Sequence, residues 1–234
     1  MFRFLKRVAK VLFSPSVRPL PRFLRGPLRL IYEIHFGLIG LWHTGWNLLY
    51  RYPLFQARCA ELGTGVSVDR LPFITGPVEL FIGNHVWIGG NVSIASGRIL
   101  DRAPRLILKD HAELSWNTSI AVNSEVVIGE YARVSFNCRI SDSDGHPREA
   151  DLRAAGHPMQ TRDIRPVHIG RHAWIGNSTH IMKGVTIGEG AVIGANSVVL
   201  HDIPPYCLAL GNPAEVMFRN FGKPKHALPS EPGA

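Results

Sequence analysis

Aliphatic residues recur every six positions in the C-terminal part of the chain. Between Val167 and Pro204 the series consists of Ile169, Ile175, Ile181, Ile187, Ile193 and Val199. A period of six matches neither the 3.6-residue period of an amphipathic helix nor the two-residue alternation of a half-buried strand. A short fixed period is typical of a solenoid whose coils stack on one another.

A second series, mostly of small residues, follows the first at a distance of four positions. It consists of Ala173, Thr179, Val185, Ala191, Ser197 and Ile203. Glycines often follow the aliphatic residue directly, as at Gly170 and Gly176, where a chain that turns a corner needs backbone freedom. The pattern predicts a prismatic parallel β-helix in which three short faces close one coil of about 18 residues.

The same period is present earlier in the chain, in three groups. These are Ile82, Ile88 and Ile94, then Leu108, Leu114 and Ile120, and then Ile128, Val134 and Ile140. The register slips between the groups, around residues 100–105 and 123–127, where we expect small bulges at corners. We expect the solenoid domain to cover residues 63–220, with about seven coils.

After Ile140 the period stops, and it returns at Val167. A long insertion in a compact repeat is usually functional. Residues 141–166 carry ionisable rather than packing side chains: Asp142, Asp144, His146, Arg148, Arg153, His157 and Arg165.

Four short motifs accompany the repeat. In chain order they read ISDSDGH at 140–146, WIG at 174–176, HDIPPY at 201–206 and GNPA at 211–214. The chain resembles the hexapeptide-repeat O-acetyltransferases that act on maltose, galactosides, exopolysaccharides and xenobiotics. The resemblance implies a left-handed β-helix, a homotrimer, acetyl-CoA as co-substrate without a metal, and a sugar or lipid-linked sugar as acceptor.

The resemblance implies that His146 is the general base. Transfer of an acetyl group from a thioester to a hydroxyl requires removal of the hydroxyl proton, and a neutral imidazole suits this near pH 7. No cysteine lies beside a plausible base in the sequence, so we expect direct transfer. The alternative is an exposed loop histidine without a catalytic role.

The resemblance also implies a cofactor groove between adjacent chains of the trimer. Trp174, Asn177 and Ala195 occupy the matching positions, although a tryptophan at a corner can also serve packing alone. The positions that contact the CoA phosphates depart from the family pattern, because the usual TKD reads Leu200, His201 and Asp202, and Glu215 replaces the basic residue after GNPA. Candidates for these contacts are His201, Arg219, Lys223 and Lys225.

The acceptor site departs from the pattern as well. Ser115 stands where relatives often carry asparagine, and Asn117 follows two residues later. Either residue is a candidate for binding a sugar hydroxyl. Asp142 and Asp144 are candidates for orienting His146 or the acceptor, or alternatively for forming turns.

The net charge of +8 lies at the N-terminus. The first 30 residues contain no acid and eight basic residues: Arg3, Lys6, Arg7, Lys10, Arg18, Arg22, Arg25 and Arg29. With interleaved aromatic residues, this pattern indicates contact between residues 1–50 and an anionic membrane surface rather than nucleic acid. A solvated basic tail is the alternative.

Residues 31–50 have apolar side chains at helical spacing, and Pro53 is expected to end the helix. The longest uninterrupted apolar run is too short for a transmembrane span. This helix therefore caps the solenoid, contacts a membrane, or does both. We expect a partly helical extension at 1–62, a flexible tail at 221–234, and a cytoplasmic enzyme that is peripheral on the inner membrane.

Three well-separated cysteines, Cys59, Cys138 and Cys207, indicate reduced, mostly buried thiols. Two other functions stay open at this point. One is a non-catalytic trimeric scaffold, and the other is a zinc-dependent carbonic anhydrase of the γ type, which needs histidine ligands.

Overall fold

The computed structural model describes residues 22–97 and 100–224. The chain divides into two compact units, Met1–Trp46 and Asn47–Ala234. The basic residues before Arg22, Lys225 and most of the C-terminal tail lie outside the described residues.

The second unit is a left-handed parallel β-helix with three sheets. Sheet A contains β1 (Glu61–Leu62), β4 (Glu79–Ile82), β7 (Arg105–Leu108), β10 (Glu125–Ile128), β13 (Val167–Ile169) and β16 (Thr186–Ile187). Sheet B contains β2 (Ser67–Val68), β5 (Trp87–Ile88), β8 (Glu113–Leu114), β11 (Arg133–Val134), β14 (Trp174–Ile175), β17 (Val192–Ile193), β19 (Cys207–Gly211) and β20 (Ala214–Arg219). Sheet C contains β3 (Phe73–Thr75), β6 (Ser93–Ala95), β9 (Ser119–Ala121), β12 (Arg139–Ser141), β15 (His180–Ile181) and β18 (Val198–Val199).

The predicted aliphatic series forms the core. Corresponding residues stack coil on coil, as Val134 does on Leu114 and beneath Ile175, and these side chains are buried. Sheets A and C contain six strands each, so the described solenoid has six coils rather than about seven. In place of a seventh coil, β19 pairs with β20 as an antiparallel hairpin.

The three edges of the prism differ in regularity. The A–B edge is the corner at which the chain passes from sheet A to sheet B, and the B–C and C–A edges are named in the same way. At the A–B and B–C edges every coil keeps the six-residue step, as from Ile128 to Val134 to Ile140. At the C–A edge the length of the step differs between coils. In one coil it runs only from Ile181 to Ile187, and in another it runs from Ile140 to Ile169. The two register slips that we expected at corners, around residues 100–105 and 123–127, therefore both lie at this edge.

A ladder of side chains follows each of the two regular edges. At the B–C edge Asn91, Asn117 and Asn137 have φ values of 58–61°, and their amides donate to one another at 3.1 Å. At the A–B edge the rings of His85, His111, Tyr131 and His172 stack with centroids 4.5–5.1 Å apart. Asparagine and histidine tolerate the left-handed conformation of such corners better than most residues.

Three helical segments precede the solenoid: α1 (Arg22–Trp46), a π-helical segment (Asn47–Arg51) and α2 (Tyr52–Arg58). Pro53 does not end the helical region as predicted, because it lies in the first turn of α2. Proline is tolerated there because the N–H that it lacks would have no intrahelical acceptor. Phe55 of α2 is fully buried in the core cluster. Among the described residues, no helix combines the length and the hydropathy needed to span a bilayer.

Candidate functional site

The long insertion at the C–A edge begins at the end of β12 and returns to the solenoid at β13. It contains a short helix, α3 (Ala150–Ala154), and a 3₁₀ turn (Thr161–Asp163). His146 is exposed near its beginning, after Gly145, whose φ of 81° places the chain in a conformation that favours glycine. The structure therefore presents the imidazole to solvent, while Pro147 beside it is buried.

Ion pairs hold the segment around His146. The Arg148 Nε lies 2.8 Å from Oδ1 of Asp163, whose side chain is fully buried. Lys183, on the neighbouring coil, pairs with Asp144 and donates to the carbonyl oxygen of Asp163 at 3.0 Å. Because the Lys183 side chain is only 10% exposed, water screens these contacts less than it screens an ordinary surface pair. The cluster joins the two ends of the insertion to one coil.

A pocket of about 460 Å³ lies beside this cluster, along the outer face of sheet C. Its volume is in the range typical of small-molecule sites. Its lining includes Ser96, Ala121, Asn123, Arg139, Ser141, Asp144, Gly145, His180 and Met182. The sequence predicted only Asp144 among these. Arg139 and His180 were missed because outward positions of a coil follow no hydrophobic period. Sequence could have suggested both residues through their position, because Arg139 lies on β12 directly before the insertion and His180 lies on β15, the next strand of sheet C.

Asp142 supports the fold rather than the pocket. Its carboxylate is fully buried and accepts hydrogen bonds from the backbone N–H groups of Asn123, Ser124 and Glu125 at 2.6–3.0 Å. Burial raises the pKa of the Asp142 carboxyl, and these amide hydrogen bonds oppose the rise. Asp142 therefore fixes the start of the insertion to the corner of the preceding coil and is not available to a sugar.

Ser115 and Asn117, the other acceptor candidates, lie at the B–C edge and do not line the sheet C pocket. The Asn117 amide donates to Asn137 and accepts from Asn91 within the asparagine ladder. The Ser115 carbonyl oxygen accepts a hydrogen bond from the Thr118 hydroxyl. The structure gives both residues contacts that belong to the corner itself.

The cofactor candidates lie on sheet B and its edge with sheet C. Trp174 is 53% exposed, and its indole N–H donates to Ser135 Oγ at 3.1 Å. Trp174 also lines a groove of about 450 Å³ on sheet B, together with His85, Trp87, His111, Glu113 and Arg133. Asn177 and Ala195 are exposed one coil apart at the B–C edge.

Three of the phosphate-contact candidates, His201, Arg219 and Lys223, are exposed and follow β18 in the chain. His201 is exposed and follows β18 at the end of sheet C. Arg219 is exposed at the end of β20, where it pairs with Cys207. Within the described residues, no group of three histidine, cysteine or acidic side chains is arranged to hold a metal ion.

Comparisons with known proteins agree with this architecture. The sequence pattern described as "Bacterial transferase hexapeptide (six repeats)" matches residues 166–201. A putative acetyltransferase of Staphylococcus aureus (strain COL) is 53% identical over 66 residues, which are 28% of this chain and 31% of that protein. The chain thus spans about a third of the length of that relative.

A solved structure shares the fold. A serine-to-alanine variant of AntD, an N-acyltransferase from Bacillus cereus in complex with dTDP-4-amino-4,6-dideoxyglucose and coenzyme A, superposes with a TM-score of 0.59. The superposition covers 74% of this chain and 90% of AntD at 15% identity.

A longer match settles the family. The galactoside O-acetyltransferase of Escherichia coli (strain K12) is 37% identical over 150 residues, which are 63% of this chain and 68% of that protein. The identity extends well beyond the hexapeptide segment at 166–201. The chain therefore belongs to the hexapeptide-repeat acetyltransferase family.

Proposed function

We propose that the protein transfers an acetyl group from acetyl-CoA to a hydroxyl of a sugar or polysaccharide precursor. The observation that carries this proposal is the exposed His146, which directly follows two residues that line the pocket of about 460 Å³, Asp144 and Gly145, and whose segment is held by the ion pairs Asp144–Lys183 and Arg148–Asp163. The similarity to galactoside O-acetyltransferase supports a sugar acceptor. The cytoplasm is the expected compartment because acetyl-CoA is available there.

In the proposed reaction His146 accepts the proton of the acceptor hydroxyl. The hydroxyl oxygen attacks the carbonyl carbon of the thioester, and the carbon–sulfur bond breaks as the CoA thiolate leaves. The protonated imidazole then returns a proton to that thiolate. No covalent acyl-enzyme is needed, because the thioester is already activated.

The polar groups of the pocket suit an acceptor with several hydroxyls. Arg139 supplies donors only and Asp144 acceptors only, and the Ser141 hydroxyl, which donates to the Ser143 carbonyl oxygen at 2.7 Å, can accept. Asp144 is fixed by its contact with Lys183, so its free lone pairs have a defined direction. This arrangement favours a sugar over an apolar acceptor, because an apolar molecule would leave these groups unpaired.

We further infer a homotrimer with one active site between each pair of chains. The residues assigned by resemblance to one site lie on different faces of a single chain, His146 at the C–A edge and Trp174 on sheet B. A ring in which the C–A edge of one copy meets sheet B of the next would join them, and head-to-tail contacts of this kind close into rings.

The acetyl-transfer proposal is tested by release of the CoA thiol from acetyl-CoA, with maltose, galactosides and nucleotide sugars as acceptors. His146→Ala is expected to lower turnover by about 10²- to 10⁴-fold, the usual contribution of a general base. His157→Ala is the matched control, because His157 is an exposed histidine of the same insertion. Equal turnover by both variants would remove the role of His146, and a wild-type protein inactive on every acceptor would favour the scaffold function.

The shared site is tested by subunit complementation. His146→Ala and Trp174→Ala chains are each expected to be nearly inactive as purified trimers, whereas mixed trimers contain some interfaces with an intact His146 and an intact Trp174. Co-expression with two different affinity tags should therefore restore about a third of wild-type activity in a mixed trimer, since one of three interfaces is intact. Mixed trimers as inactive as their parents, or a fully active monomer by light scattering, would contradict the shared site.

A further inference from the structure

The helix α1 has two distinct faces along its 25 residues. At 100° per residue, one continuous arc of about 200° carries aliphatic and aromatic side chains apart from Pro27, His35 and Gly45. These side chains include Phe23, Ile31, Ile34, Leu38, Leu41 and Trp42. None of the side chains of α1 is buried, and Leu41 and Trp42 are 73% and 68% exposed. An exposed apolar surface of this size marks an interaction site.

The opposite arc, of about 160°, is mostly basic or small, and Phe36 is its one large apolar side chain. It carries Arg22, Arg25 and Arg29 in the first two turns, with Glu33 as the single acid of the helix, and Gly37 and Gly40 further along. Arg25 lies at a border of the polar arc with the apolar arc, and Arg22 and Arg29 lie near the middle of the polar arc. Long basic side chains can reach outward to phosphate groups while their stems cover apolar surface.

The combination of the two arcs identifies the partner. A transmembrane orientation is excluded for α1, since it lacks the required hydropathy. Nucleic acid would leave the wide apolar arc in water. A helix with a wide apolar face and a basic polar face is the type that lies in the plane of a membrane interface. The arginines match the negative charge of an anionic leaflet.

We propose that α1 lies flat in the interface of an anionic phospholipid bilayer, with its apolar arc among the acyl chains and Arg22, Arg25 and Arg29 among the phosphates. Such binding is reversible, because a single interfacial helix does not approach the insertion energy of a span. It places the enzyme where a lipid-linked acceptor would be found. The binding itself does not depend on the acetyl-transfer reaction.

Co-sedimentation of the full chain with vesicles tests the apolar arc. The vesicles contain phosphatidylglycerol and phosphatidylcholine, or phosphatidylcholine alone. Ile31→Gln combined with Leu38→Gln is expected to weaken binding to the anionic vesicles by about 100-fold, because two aliphatic side chains no longer enter the bilayer. Gly40→Gln combined with Thr44→Gln is the control, because it places two glutamines on the polar arc instead. It should change the affinity for the anionic vesicles by less than about two-fold.

The charged side is tested by replacing Arg22, Arg25 and Arg29 with glutamine together. At about 1 kcal/mol for each basic residue near the surface, the affinity for anionic vesicles should fall by about 100-fold. The affinity for phosphatidylcholine alone should change little. Raising the salt concentration should release the wild-type protein, since the attraction decays over a Debye length of about 8 Å at physiological ionic strength.

Three outcomes would overturn the proposal. The first is equal binding to anionic vesicles by the two double variants, Ile31→Gln with Leu38→Gln and Gly40→Gln with Thr44→Gln. The second is loss of self-association in lipid-free buffer for Ile31→Gln with Leu38→Gln, with vesicle binding unchanged, because the apolar arc would then pack between copies of this chain. The third is binding of the wild type to oligonucleotides but not to vesicles. Circular dichroism confirms in each case that the variants keep their structure.

Discussion

The B–C edge and the C–A edge of the solenoid connect the same kind of short parallel strands, but they differ in whether they tolerate inserted residues. At the B–C edge every coil takes six residues, and the asparagine ladder of Asn91, Asn117 and Asn137 joins successive corners. At the C–A edge the connection grows from a tight turn to the whole segment between Ser141 and Val167.

The difference teaches where this architecture can acquire chemistry. A corner with an interlocking ladder constrains both backbone conformation and side-chain identity, because the amides of Asn91 and Asn117 each donate to the asparagine of the next corner. A corner without such a ladder can open into a loop, and loops on a rigid scaffold commonly carry functional residues. The sheet C pocket and His146 both lie next to the edge that accepts insertions.

The largest effect is expected from adding residues to each edge. A Gly-Ser insertion between Asn137 and Cys138 displaces β12 from its pairing with β9 and separates Asn137 from its corner, so we expect no folded protein. The same insertion between Ala155 and Gly156 adds only a small loop-closure cost of a few tenths of a kcal/mol. Circular dichroism and thermal unfolding of the two variants measure the contrast. Similar melting temperatures would show that the two edges do not differ.

The sequence was sufficient for the repeat but not for its limits. Ile169 to Val199 kept a strict period, so their burial could be predicted from sequence alone. The end of the solenoid could not be predicted in this way. The segments Cys207–Gly211 and Ala214–Arg219 resemble a further coil in sequence, and only their antiparallel pairing shows that they form a hairpin. Pro53 was misjudged because a proline just after a helix and a proline in the first turn of the next helix look alike in the sequence.

The candidate site was predicted unevenly for a similar reason. The length of the insertion indicated a functional loop, and the motif around His146 singled out one residue in it. The contacts of Asp142 and Asn117 depend on which corner each residue reaches, and that follows from coil stacking rather than from local sequence. Arg139 and His180 became candidates only when the stacking of β12 and β15 placed them on one surface.

A medium effect is expected where the variable edge is tied to the scaffold. Asp142→Ala leaves three backbone N–H groups of the preceding corner without their acceptor. Each unsatisfied buried donor costs roughly 1–3 kcal/mol, and water entering the space offsets part of the cost. We expect the free energy of unfolding in urea to fall by about 3 kcal/mol. Asp151→Ala, on the exposed α3, is the control and should change it by less than about 0.5 kcal/mol.

The smallest effect separates a corner residue from a substrate-binding residue. Asn117→Ala removes two amide hydrogen bonds of the ladder on an exposed edge, and it places alanine at a φ of 61°, which alanine tolerates less well than asparagine. We expect the unfolding free energy to fall by about 1–2 kcal/mol. Asn117→Gly removes the same hydrogen bonds without the backbone penalty, so it should cost less than the alanine variant. If Asn117 serves the corner alone, both variants keep the wild-type KM for the acceptor in the CoA-release assay. A rise in KM of ten-fold or more in the glycine variant, with its stability nearly unchanged, would instead place Asn117 at the acceptor and make the regular edge part of the active site.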